Sequence, residues 1–366
     1  MQPPRPRPGA AVVIDTDAAN EIDDPFAIAW ALLRADRLDV QACHAAPFSF
    51  ELWRGQLMRA RTAREAPAQA SPMDAALLRR HAGTLAHFER QRWDPATVAL
   101  PALCGPAEGH DRGLEELNTV YRLLGRDPAS QVFAGARAFL DSQASPLRPP
   151  AATAASDDLI ARSAGHTAGD PLWVLAIGCL TNIATALLRD PGLADRMVLV
   201  WTAGHSVHAP HRNLAFNLEQ DAAATRVVLD SAVPLVYLPG FHIGAQLRLS
   251  RPEMERWVQG RGGPGGIGDH LFDLYTHNPL WPLLGITDWL AHSWVIWDLI
   301  NVAWMLDPSW VPVQPVARPR LDDELRWVAR DGADARSAGP MWEAEGIQRD
   351  AIFRDFFLAL ERAPGR

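Results

Sequence analysis

Continuous apolar runs alternate with helical patterns along most of this chain. The runs that predict strands lie at residues 11–14, 38–44, 172–177, 197–202 and 233–238. Except in 38–44, which is a plausible second strand, their residues do not alternate between apolar and polar, which is typical of strands that are buried on both faces. Helical patterns lie between them, at 25–33, 182–188 and 221–230. This order predicts an α/β fold: an open, mostly parallel sheet with helices on both faces. Such sheets bind ligands beyond the carboxyl ends of their strands.

The rest of the chain indicates one domain with additions. Residues 1–10 form a tail rich in proline and arginine that we expect to be disordered, and residues 11–366 are predicted to form a single domain. Within it, residues 51–112 are rich in arginine, alanine and proline and have little strand character. We expect this segment to be a largely helical or partly ordered insertion, followed by a long helix over 114–124. The sequence has neither a secretory signal at its start nor an apolar run long enough for a membrane span.

Composition excludes several kinds of chemistry. The chain contains 35 basic residues, all of them arginine, so lysine cannot form a Schiff base or act as a general base. Its three cysteines lie far apart, which argues against a disulfide framework and favours a reducing cytoplasm. A formal net charge of −8 argues against a nucleic-acid partner. The chemistry must therefore come from carboxylates, histidines, arginines, hydroxyl groups or a metal ion.

An acidic cluster follows the first predicted strand. Five carboxylates occur within ten residues, namely Asp15, Asp17, Glu21, Asp23 and Asp24, and a helix begins beside them. A helix cap at Asp24 and the helix dipole explain one or two of these. Five carboxylates on one turn would repel one another without a cation. The cluster therefore predicts a metal or catalytic site, and ligands that are all oxygen atoms favour calcium or magnesium.

This loop resembles that of the inosine–uridine-preferring nucleoside hydrolases. The family usually has two fewer residues between its aspartate pairs than the run from Asp15 to Asp24 contains. Five later segments resemble the family in the same order along the chain: 175–191, 198–205, 215–229, 295–308 and 347–357.

The resemblance implies a role for each matching residue. Calcium would be bound by the side chains of Asp17, Asp24 and Asp298 and by the backbone carbonyl of Ile177. Asp17 would also be the general base that takes a proton from a metal-bound water. Substrate-binding residues would include Asp23 and Asn217, each on a ribose hydroxyl, and Asn20 of the same loop.

The implied activity is calcium-dependent hydrolysis of the N-glycosidic bond of a nucleoside or related N-riboside. Water would attack the anomeric carbon through an oxocarbenium-like transition state that the carboxylates stabilise. The family also implies a homo-oligomer. Two of the residues have structural alternatives, since Asp298 could instead cap the helix 299–306 and Asn217 could be a turn residue.

The chain departs from the family at two positions that bear on the substrate. Ala215 stands where the family commonly has a glutamate, and Trp297 stands where many members have a histidine that protonates the leaving base. Trp297 could stack on the base or pack in the core. His205, in a loop after the fourth predicted strand, is the best replacement histidine to face the pocket, with His242 and His292 as alternatives.

Two other functions are compatible with the residues. The departures at Ala215 and Trp297 motivate a non-catalytic relative that keeps the metal site and binds a nucleoside or sugar. The aspartates directly after a strand are also found in phosphatases that use the first aspartate as a nucleophile. Those enzymes normally hold the phosphoryl group with a lysine, and this chain has none.

Overall fold

The computed structural model of the chain describes residues 2–140, 150–286 and 293–365. His292 lies outside them. The strands in this part are β1 Ala10–Thr16, β2 Leu38–Ala45, β3 Val132–Ala134, β4 Leu172–Ala176, β5 Met197–Ala203, β6 Leu235–Pro239, β7 Arg248–Ser250, β8 Ser293–Val295, β9 Val313–Val316, β10 Arg320–Leu321, β11 Trp327–Val328 and β12 Met341–Ala344. The helices are α1 Asp23–Leu33, α2 Leu52–Glu65, α3 Pro72–Gln91, α4 Pro106–Leu123, α5 Ala154–Ser163, α6 Thr181–Arg189, α7 Phe216–Glu219, α8 Ala222–Asp230, α9 Arg251–Trp257, α10 Ile267–Thr276, α11 Trp281–Leu284, α12 Leu299–Leu306, α13 Gly332–Ser337 and α14 Arg349–Leu360.

Eight of the strands form the central sheet, in the order β3-β2-β1-β4-β5-β6-β12-β9. Neighbouring strands are parallel except for β9, which runs antiparallel to β12 at one edge. The chain builds β1, β2 and β3 outward in one direction and then continues on the other side of β1 with β4, β5 and β6. The order therefore reverses between β1 and β4, and a crevice forms at such a point.

Alternate residues of the central strands enter two different cores. Val12 and Ile14 of β1 pack on one face with α1, α4, α10, α12 and α14. Val13 packs on the other face with α5, α6 and α8. This explains why the strands appear as continuous apolar runs, because both of their faces are buried. The predicted sheet with helices on both faces is confirmed.

A third hydrophobic cluster lies outside the sheet. It joins α2 and α3 to α11 and to the segment around Phe216 through Phe50, Trp53, Leu77 and Leu283. Residues 52–65 and 72–91 are thus helical, as the composition of the segment predicts. That this segment is an insertion into one domain stays a prediction.

Several boundaries differ from those predicted. Strand β1 continues through Asp15 and Thr16, because both residues pair with β2 although they are polar. The long helix begins at Pro106 rather than at 114. A cap at Asp24 is wrong, since Ile22 holds the N-cap position of α1 and Asp24 lies within its first turn. No helix of the described residues is both long and apolar enough to span a membrane.

Candidate active site

The carboxyl end of β1 and the start of α12 bring the predicted acidic residues to the crevice. After β1 the chain makes a tight turn, in which the Asn20 backbone N–H donates to the Asp17 carbonyl at 3.1 Å. Ala19 has a φ of 75° within this turn, an uncommon conformation for a residue other than glycine. Helix α1 then begins with two acidic residues, Asp23 and Asp24. A β-branched side chain would be strained at this φ, so the backbone conformation of the turn favours a small residue at Ala19.

Three carboxylates meet at the floor of the crevice. Asp23, Asp24 and Asp298 are buried, and one oxygen of each lies within 4.8 Å of the others. Asp298 occupies the N-cap position of α12, yet its side chain makes no capping hydrogen bond. Asp298 thus holds the position of the structural alternative, the N-cap, but its carboxylate does not cap the helix and remains available for a ligand. Asp24 accepts a hydrogen bond from the Thr16 hydroxyl through one oxygen, while its Oδ2 is buried without a partner among the described residues.

Asp17 lies beside this group and is fully buried. Its Oδ2 accepts from the side-chain amide of Gln220 at 3.0 Å, and its Oδ1 has no partner in the described part of the chain. The Gln220 amide is oriented in turn by the Ser49 backbone N–H, which donates to Oε1 at 3.2 Å. Gly178, directly after β4, allows the approach, because a Cβ there would lie 2.8 Å from the Asp17 nitrogen and 2.9 Å from Oδ1. Asp17 is thus held from two sides with one oxygen left free.

Burial makes this cluster unfavourable as a set of free anions. Loss of hydration raises the pKa of Asp15 to about 8, that of Asp17 to about 7 and that of Asp23 to about 6. It also raises the pKa values of Asp24 and Asp298 well above their ordinary range, and neighbouring aspartates add to the effect. A bound cation would reverse this balance, since it favours the ionised forms.

A cavity of about 640 Å³ opens above the floor. Its lining combines the acidic loop, the ends of β5 and β6, the loop 203–217 and helix α3. Asp23, Asp298 and the Ile177 backbone lie at the acidic end. The size is typical of a site for a whole small molecule.

Comparison with known proteins agrees with this geometry. The sequence profile described as inosine-uridine preferring nucleoside hydrolase matches residues 100–341, about two thirds of the chain. The chain belongs to this family. It is accordingly an enzyme of the N-glycosyl hydrolase class. One relative is the non-specific ribonucleoside hydrolase RihC of Salmonella enteritidis, which is 27% identical over 289 residues that cover 78% of each chain.

Solved structures show the same fold. A plant nucleoside hydrolase, PpNRh1, superposes with a TM-score of 0.62 at 18% identity, covering 97% of this chain and all of the other. A purine-preferring ribonucleoside hydrolase from Gardnerella vaginalis superposes with a TM-score of 0.63 at 16% identity, covering 96% and 98%. At these identities the likeness establishes the nucleoside hydrolase fold.

The remaining predicted site residues also reach the crevice. Ile177 lines the cavity, and its carbonyl accepts from the Asn217 amide at 2.8 Å. The same amide donates to the Thr202 carbonyl at 3.2 Å. Asn20 and Trp297 line the cavity as well. Their roles in binding stay predictions.

The loop that contains His205 borders the cavity. His205 lines it with His211 and His242, whose ring centres lie 4.9 and 5.6 Å from that of His205. Burial lowers the pKa of His205 to about 4, and the two neighbouring histidines contribute to the shift. His242 has a φ of 72°, a strained conformation of the kind that occurs at functional sites. His208 is exposed and does not line the cavity.

Several residues of the nucleoside hydrolase site were missed from the sequence. Gln220 contacts Asp17, Asn182 donates to Asp15 Oδ2 at 2.9 Å, and Arg79, Arg80 and Arg212 line the cavity. Asn182 lies in a segment that resembles the family, so its motif could have indicated it. For the arginines no local signal exists, because arginine is the only strongly basic residue type in the chain and occurs throughout it.

Proposed function

We propose that this chain catalyses the calcium-dependent hydrolysis of the N-glycosidic bond of a nucleoside or a related N-riboside. The observation that carries the proposal is that two buried carboxylate oxygens, Asp17 Oδ1 and Asp24 Oδ2, have no hydrogen-bond partner among the described residues, next to Asp23 and Asp298 of the cavity lining. Unpartnered buried anions are costly, and they are expected where a cation belongs.

The donor set fits a hard divalent cation. Asp17, Asp24 and Asp298 would hold it together with the Ile177 carbonyl, which retains a second lone pair beside its bond from Asn217. The structure groups Asp23 closely with Asp24 and Asp298, so Asp23 is a further possible ligand. When bound, the cation supplies positive charge that lowers the pKa of the attacking water.

Asp17 acts as the general base in this proposal. The hydrogen bond from Gln220 fixes the carboxylate, which accepts the proton through a lone pair that neither Gln220 nor the cation uses. Asp23 and Asn217 hold ribose hydroxyls, and Asn20 borders the same sugar. The carboxylates below the sugar also stabilise the positive charge that develops on the ring as the bond to the base breaks.

The base would lie against Trp297 and the histidines. Trp297 packs on the backbone of the turn after β6, where a Cβ on Gly244 would lie 3.3 Å from its Cδ1. This support gives the indole a fixed orientation for stacking. His205 lies within reach of the same part of the cavity, and its lowered pKa makes it a neutral hydrogen-bond partner for the base.

The same proposal assigns a role to the segment 51–112, an oligomeric state to the protein and a cellular location. Ala76 and Arg79 of α3 line the cavity, so we assign this segment to the wall of the substrate pocket. The family resemblance supports a homo-oligomer. The three cysteines are buried free thiols, which suits a cytoplasmic enzyme.

Release of reducing sugar from a panel of purine and pyrimidine nucleosides tests the function, measured with calcium and with a chelator. We expect release that the chelator abolishes and calcium restores. Asp298→Asn should lower the rate and weaken calcium binding measured by calorimetry, whereas Asp39→Asn, at an exposed carboxylate, should change neither. Release that ignores the chelator would contradict the metal mechanism. Calcium binding without release from any nucleoside would favour the non-catalytic binder.

A further inference from the structure

Three arginines line the cavity away from the acidic floor. They are Arg79 and Arg80 on α3 and Arg212 in the loop after β5, and we call them the arginine rim. The carboxylates that line the described cavity are Glu21, Asp23 and Asp298. No ion pair joins the arginine rim to them within the described residues, so these carboxylates do not neutralise the three guanidinium groups.

Two members of the rim are fixed in place by glutamates. The Arg80 guanidinium lies 2.5 Å from Glu219, whose side chain is only 2% exposed, and 5.1 Å from the centre of the Trp53 ring. Arg212 Nη2 donates to Glu324 at 2.7 Å. These contacts orient the two guanidinium groups before any ligand arrives, and each group has five N–H donors, more than one carboxylate can use.

The rim retains unused binding capacity. The Arg212 side chain is nine-tenths buried, and its Nε has no hydrogen-bond partner among the described residues. Arg79 lines the cavity from an exposed position, and within the described part of the chain no ion pair neutralises it. The three arginines of the rim thus have two glutamates as ion-pair partners, and the group has a net positive charge. A buried donor without a partner and an unneutralised guanidinium are both features of an anion site.

We infer that the preferred substrate is an N-riboside that carries a phosphate group, bound by the arginine rim. The inference rests on the proposed function, which places the ribose ring hydroxyls at the acidic floor and the base against Trp297. The exocyclic C5′ is then the position of the ribose from which a phosphate can reach another part of the cavity. Arginine forks match phosphate oxygens, and a dianion would be repelled from the acidic end. The substrate would therefore be a nucleoside 5′-phosphate rather than a nucleoside.

Binding of ribose 5-phosphate and of ribose, measured by calorimetry with calcium present, tests this independently of catalysis. We expect ribose 5-phosphate to bind about tenfold more tightly than ribose, and Arg79→Gln to remove most of that difference. Arg79 is the residue to change, because it is exposed and its loss breaks no ion pair of the described residues. Arg90→Gln is the matched control: Arg90 is an exposed residue of the same helix that does not line the cavity, and the difference should persist.

Equal affinities for the two sugars in the unmodified protein would overturn the inference. So would a preference that survives Arg79→Gln, or one that Arg90→Gln lowers equally. Sugar release from one nucleoside and its 5′-monophosphate then separates the two proposals. Release from the nucleoside with equal affinities leaves the hydrolase proposal standing and refutes the phosphate site. A preference for ribose 5-phosphate without release from either compound refutes the hydrolase and leaves the site.

Discussion

Removing the charge of Asp17 should make the metal-free protein more stable while it strongly lowers turnover. Asp17 is fully buried, and loss of hydration raises its pKa from the ordinary 3.8 to about 7. At about 1.4 kcal/mol for each pH unit, the ionised carboxylate costs the folded chain about 4 kcal/mol at pH 8. For 366 residues this corresponds to about 5 °C in Tm. Asp17→Asn keeps the shape of the side chain and removes the charge.

The sign of the pH dependence follows from the raised pKa. Between pH 3.8 and about 7 the unfolded chain loses this proton and the folded chain keeps it, so stability falls as the pH rises through that window. The gain from Asp17→Asn should therefore be greatest at pH 8 and smaller at pH 5. Turnover should fall about 100- to 10,000-fold, because the general base is lost.

Thermal unfolding followed by intrinsic tryptophan fluorescence provides the assay, at pH 5 and pH 8 with a chelator. Asp39→Asn serves as the control, since Asp39 is exposed and its change should leave Tm unaltered at both pH values. Calcium should then raise the Tm of the unmodified protein by more than that of Asp17→Asn. If the variant is instead less stable than the unmodified protein, by the same amount at both pH values, the ionised Asp17 does not destabilise the metal-free protein and the reasoning is refuted.

Three further outcomes follow from the same geometry. Gly178→Ala places a Cβ 2.8 Å from the Asp17 nitrogen and should weaken calcium binding in calorimetry by about tenfold or more, whereas Gly55→Ala, in open space on α2, should leave it unchanged. Gln220→Leu removes the amide that lowers the pKa of Asp17, so the acidic limb of the pH–rate profile should move to higher pH; an unmoved limb would argue against Asp17 as the base. The His205 imidazole should titrate near pH 4 when followed by NMR, and a midpoint near 6.5 would show that it is not desolvated.

The sheet could be predicted because its strands are buried on both faces. Runs such as 172–177 and 197–202 contain few polar residues, so their pattern indicates parallel strands without further information. The short strands β3 and β7 to β12 have two to four residues each, too few to produce a recognisable pattern. Helix α4 begins eight residues before the predicted start, and the prediction missed this part because the first turns contain Pro106, Gly109 and polar residues that weaken the helical pattern.

The acidic floor could also be predicted, because most of it lies within one turn of the chain. Its partners could not, since contacts between distant segments provide them. Gln220 is separated from Asp17 by 203 residues, and the pairing of β4 with β1 and of β5 with β4 brings the two together. The arginine rim has the same cause: Arg79 and Arg212 meet one cavity because α3 packs against the segment around Phe216.

Helices α2 and α3 have a hydrophobic cluster of their own, separate from both faces of the sheet. The wall that they form is consequently held by a different hydrophobic cluster from the ones that hold β1 and the acidic floor. Under the proposed function, substitutions on the cavity side of α3 can change the choice of substrate without disturbing β1 or the carboxylates that cleave the bond. Exchanging residues 52–91 between family members is accordingly a direct way to move substrate preference from one enzyme to another.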